Sequence, residues 1–68
     1  MKEDNDERYY SGTIKDSDGY QISIDVVVYP DKKLYVLARD VGGNRMPNPF
    51  TDQDIFDSIR DGELIETD

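Results

Sequence analysis

The side chains in this chain best suited to chemistry are carboxylates. Asp54, Asp57 and Asp61 stand at i, i+3 and i+7, a spacing that sets them in one row along a helix surface. Glu63 and Glu66 extend the strip. A line of fixed negative charges on a rigid rod copies the sign and spacing of a phosphate backbone. A basic groove meant for DNA or RNA accepts such a surface through the same charge pairing. The plain alternative is a solvated helix face. Asp57 and Asp61 lie four apart, a like-charge pair costing roughly a few tenths of a kcal/mol.

Other chemistries find no support in the residue types. Asp16-Ser17-Asp18-Gly19 resembles the opening of a calcium loop. An EF-hand loop, however, needs further ligands, a distant Glu and helices on both sides. The flanks here alternate as strands, which makes the tetrapeptide a hairpin turn. Paired carboxylates serve glycosidases only inside a cleft, and 68 residues scarcely enclose one. The chain has no Cys and no His, which removes thiolate and imidazole ligands, imidazole bases and the Ser/His and Cys/His nucleophile pairs. Gly42-Gly43 lacks the following Lys-Ser/Thr of a phosphate-binding loop. The expectation is no enzymatic activity, no cofactor and no metal.

The elements that must position the carboxylates follow from periodicity. Residues 1–8 are charged and poor in apolar side chains and read as a flexible N-terminal tail. A single small domain is expected over 9–68. Strands are expected at about 9–16, 20–29 and 34–40. The middle one alternates Tyr20, Ile22, Ile24, Val26 and Val28 with Gln21, Ser23, Asp25, Val27 and Tyr29, a period of two rich in β-branched residues. Asp16–Gly19 and Pro30–Lys33 supply the turns of an antiparallel meander. Two glycines and two prolines make 41–50 a loop.

A helix is expected over 51–61. Thr51 is placed as N-cap with Asp54 three residues on, and Phe50 and Ile55 hold the staple positions. Asp52 and Asp54 suit the first turn, Arg60 the last, and Gly62 the position beyond the C-cap. Ile55, Phe56 and Ile59 form the stripe that must lie on the sheet. Residues 62–68 read as an acidic tail in which Leu64 and Ile65 either fold back on the core or add a short edge strand. The fold class is thus α+β: a three-stranded antiparallel β-meander with one C-terminal α-helix packed on one face. Its core is expected from Tyr10, Ile14, Tyr20, Ile22, Ile24, Val26, Val28, Leu34, Val36, Phe50, Ile55, Phe56 and Ile59.

Two further surfaces compete with the acidic row. Tyr9, Tyr29 and Tyr35, with Val27 and Leu37, fall on the sheet face away from the helix and suit self-association or a partner, since aromatic residues are enriched in interface cores. Arg45 and Met46 sit at the tip of the Gly/Pro loop as contact residues.

Charge decides among partners. The formal net charge is −8, yet residues 9–50 balance five cations against five carboxylates, while residues 51–68 hold seven carboxylates against Arg60. Phosphate contacts need Lys and Arg, so direct nucleic-acid binding is not expected, nor an anionic membrane. No apolar run approaches the ~18 residues of a membrane span, and MKEDNDER lacks the apolar stretch of a signal peptide. A cytoplasmic protein is expected.

In being small, acidic and cysteine-free with a meander and one helix, the chain is similar to the inhibitors that bacteriophages and mobile elements direct against host nucleases, restriction systems and CRISPR complexes. The similarity rests on size and charge and transfers no residue role. It implies a non-enzymatic inhibitor, a nucleic-acid mimic that occupies a basic site on a nucleic-acid-binding protein in the bacterial host cell. The alternative is a structural or oligomerising module, a homodimer through the aromatic sheet face.

Overall fold

The longest alternating run becomes the middle strand of the sheet. In the computed structural model, which describes residues 6–67, strand β2 (Gln21–Val28) buries Ile22, Ile24 and Val26 and turns Gln21, Ser23 and Asp25 outward. Strands β1 (Arg8–Lys15) and β3 (Leu34–Arg39) pair antiparallel on either side of it, with Gly12 and Ala38 both opposite Ile24. Strand β4 (Arg45–Met46) pairs with β3, then helix α1 (Asp52–Arg60) leads to strand β5 (Leu64–Thr67), which pairs with β1. The order is β4-β3-β2-β1-β5, antiparallel throughout. Side chains alternate across a sheet, so one face carries the even-numbered residues. Ile55 of α1 is wholly buried with them.

The α+β class is as expected, but the sheet has five strands rather than three. The first correction lies in 41–50. There Gly42 and Gly43 form a tight turn, Arg45 and Met46 then pair with Arg39 and Ala38, and Pro47 and Pro49 stop the ladder after two residues. Met46 packs against the core instead of standing at a loop tip.

The second lies in 62–68, where the chain does both things held open for Leu64 and Ile65: it folds back on the core and adds an edge strand. Residues after α1 turn back and lay Leu64 into the core at 2% exposure. Gly62 makes this reversal at φ 85°. Its N–H donates to the Ile59 carbonyl, and the Glu63 N–H to the Ser58 carbonyl, the pair of bonds that closes a helix with a left-handed residue. The returning chain crosses β1 so closely that a Cβ on Gly12 would collide with the Glu63 carbonyl oxygen. Of the tail expected at the other end, 1–5 lie outside the described residues, as does Asp68. Asp6 and Glu7 are in no regular element, and Arg8 already belongs to β1.

The core differs from expectation at its margins. Tyr20 is 65% exposed because it closes a turn ahead of β2. Phe56 is half-buried outside the main cluster, beside Val28, Tyr29 and Pro30. Ala38 and Leu64 are fully buried members.

All three hairpins close in one way. In each, the first residue's N–H bonds the carbonyl four residues on, and the fourth residue's N–H bonds the first carbonyl: Asp16 with Tyr20 and Gly19, Tyr29 with Lys33 and Lys32, Asp40 with Asn44 and Gly43. The fourth residue is left-handed each time, with φ 88° at Gly19, 69° at Lys32 and 84° at Gly43. This is the three-residue loop in which a tight turn runs into a left-handed bulge. Asp16 and Asp40 add a carboxylate cap, each Oδ1 accepting two backbone N–H bonds at 2.9 Å.

Candidate partner-binding surfaces

The carboxylate row sits on a helix that its own residues cap. Thr51 Oγ1 accepts the Asp54 N–H at 3.1 Å, and Asp54 Oδ2 accepts the Thr51 N–H at 3.0 Å, a reciprocal pair that satisfies two otherwise orphaned donors. Asp54 therefore holds the helix start. Asp57 Oδ1 accepts from Gln53 Nε2 at 3.0 Å and from Arg60 Nη2 at 2.8 Å. Arg60 also offsets the repulsion expected between Asp57 and Asp61. Asp61 is the C-cap and is exposed. Two of the three members of the row thus have structural partners.

Packing adds carboxylates that spacing along the chain does not reveal. The β1–β2 turn stands over the helix, and Asp16, Asp18, Asp54 and Asp57 line one open depression of about 550 Å³ with Lys15, Phe50 and Ser58. Asp16 is committed to its turn, as described above, whereas Asp18 is exposed at the rim. Among the described residues, no group of three or more carboxylates is arranged to hold a metal ion.

Glu63 and Glu66 lie elsewhere, at the β5 edge. Glu63 is exposed where the chain leaves the helix. Glu66 pairs in register with Tyr10, and its carboxylate meets Arg8 Nη1 at 3.3 Å. Both partners are largely exposed, so this ion pair contributes little.

The aromatic face is assembled in part. Tyr9, Val27 and Tyr35 are directly opposite one another across β1, β2 and β3. Together with Asp25, Leu37 and Thr67 they line a shallow depression of about 170 Å³ on the face without a helix. Tyr9 and Tyr35 are 46% and 58% exposed. Ile65, which sequence reasoning did not place on this face, joins it opposite Ser11 at 66% exposure. Tyr29 does not join it. It belongs to the β2–β3 turn and lines a separate hollow with Gln53 and Phe56. Arg45 lies directly opposite Arg39, two like charges at one end of the open face. Asp25 is the carboxylate nearer its centre.

Among the described residues no helix is long and apolar enough to cross a membrane. No protein-family model, no curated protein and no solved structure matches the chain.

Proposed function

We propose that this chain is a non-enzymatic protein-binding inhibitor whose acidic side occupies a basic, nucleic-acid-binding site on another protein. The observation that carries the reading is the convergence of Asp16 and Asp18 with Asp54 and Asp57 around one depression, on a chain whose net charge is −8. Such a surface attracts a basic partner at long range, speeds encounter, and loses that advantage as salt screens it. Size and charge favour a phage or mobile-element origin and action in the bacterial cytoplasm.

The test is capture of partners by the immobilised chain at low and high salt, compared with Asp18→Lys/Asp57→Lys. Asp54 is left alone because it caps the helix. The bound protein is expected to be lost from the double variant and displaced by added duplex DNA. A partner that the variant retains, and that DNA does not compete away, overturns the reading.

The second reading is an oligomerising module, favoured by the row of Tyr9, Val27 and Tyr35 on the uncovered face. Sedimentation at high micromolar concentration separates it from the first. A dimer abolished by Tyr35→Lys supports it, and a monomer removes its homo-oligomer form.

A further inference from the structure

The two edges of the sheet are finished differently. At one edge β4 is two residues long and runs directly into Pro47-Asn48-Pro49, which leaves almost no ladder for another chain to extend. At the other edge β5 has four residues, no proline and no lysine, and no positive φ among its residues. Among the described residues nothing pairs with its outer side, and an edge of this kind is a template for strand addition.

The hairpin closures determine which backbone groups of β5 point outward. Asp16 donates to the Tyr20 carbonyl at the β1–β2 turn, and hydrogen-bonded pairs recur at every second position of an antiparallel ladder. Even-numbered residues of β1 therefore bond β2, and odd-numbered ones bond β5. Tyr9 and Ser11 are opposite Thr67 and Ile65, so Thr67 and Ile65 bond β1. Leu64 and Glu66 are left with N–H and C=O directed away from the sheet.

The side chains along this edge state the chemistry of what fits. Glu66 projects on the helix side, opposite Tyr10, and Glu63 precedes the strand. Ile65 projects on the open side and is mostly exposed. From this juxtaposition we infer that the β5 edge accepts an extended segment of a basic partner protein. Its Lys or Arg residues face Glu66 on the helix side, and its alternate apolar residues face Ile65 on the open side. Backbone bonds supply adhesion and the alternation supplies register. A second copy fits this edge less well, because residues 51–68 alone carry a net charge of −6 and two such segments would be brought together. The inference rests on the basic partner proposed above and specifies how that partner is held.

A blocked peptide of alternating Lys and Val is the probe, titrated into the full chain at low salt and followed by amide NMR. The Leu64 and Glu66 amides are expected to shift and to gain protection from hydrogen exchange. N-methylation of alternate peptide residues removes the donors in one of its two registers and is expected to weaken binding by more than about tenfold. Glu66→Pro removes one outward donor without touching the β1–β5 ladder, and Glu66→Gln removes only the charge. The proline variant is expected to bind about 2–10-fold more weakly than the glutamine variant. Because the peptide series uses the unmodified protein, it decides the matter even where a variant unfolds.

Binding that is indifferent to N-methylation and abolished by Asp18→Lys/Asp57→Lys overturns the edge site and leaves the acidic depression as the docking surface. Absence of any binding at low salt overturns both. A concentration-dependent dimer that protects Leu64 and Glu66 without peptide assigns the edge to a second copy and overturns the basic segment.

Discussion

Lys32 occupies a position that the other two hairpins give to glycine. Its φ of 69° matches 88° at Gly19 and 84° at Gly43, and the bonds around it are the same. A left-handed conformation costs an L-residue roughly 1–2 kcal/mol, while glycine costs about 0.5–1 kcal/mol of extra chain entropy on folding. Asp31 recovers part of the difference by accepting the Lys33 N–H at 3.1 Å. The balance predicts that Lys32→Gly stabilises the protein by a few tenths to about 1 kcal/mol, seen as a raised unfolding midpoint in a thermal or urea melt. A lowered midpoint would mean that the lysine stem contributes packing beyond its backbone role. At this scale the turn chemistry was partly legible. Asp16-Ser17-Asp18-Gly19 announces a hairpin, and Asp40-Val41-Gly42-Gly43 repeats its Asp-x-x-Gly frame. The second was hidden by the prolines that follow, which made the whole segment read as loop. The carboxylate row was legible as spacing, but spacing does not say that Asp54 caps the helix or that Arg60 and Gln53 hold Asp57.

Among the elements, β2 and α1 announce themselves and β4 and β5 do not, for reasons of length and composition. β2 alternates over eight residues and α1 carries both cap signatures. β4 is too short to show a period. β5 offers Leu64 and Ile65 among acidic neighbours, which leaves an edge strand open beside a tail, and packing decides for the strand. The acidic depression was illegible for a related reason, because Asp16 and Asp18 reach it from an element far from α1 in sequence. Leu64 settles whether the acidic segment is structural. It is 2% exposed and shares the core with Ile24 and Ile55. Leu64→Ala is expected to cost about 2–5 kcal/mol, a large share of what so small a core supplies. A shift of the denaturation midpoint measures it. A variant as stable as the parent would show β5 to be dispensable and would also remove the edge on which the docking inference stands.

For the whole molecule, charge acts in opposite senses on folding and on binding. The chain carries a net charge of −8, and this self-repulsion opposes the compact state. Among the described residues the ion pairs that offset it are exposed: Arg8 with Glu66, Lys33 with Asp31 and Arg60 with Asp57, each worth at most about 1 kcal/mol. Screening at about 0.15 M salt shortens the reach of exposed charges to ~8 Å. It therefore removes more of the long-range repulsion than of these contact pairs. Raising salt from a few millimolar to physiological strength is thus expected to raise the thermal unfolding midpoint. The same change should lower affinity for a basic partner, since attraction between opposite charges is screened by the same ions. Measured in one buffer series, stability and affinity should move in opposite directions. A homodimer through Tyr9 and Tyr35 behaves otherwise: two acidic copies repel, so salt would strengthen self-association along with the fold. Affinity and stability rising together would thus favour the aromatic face over the carboxylates as the surface that this chain uses.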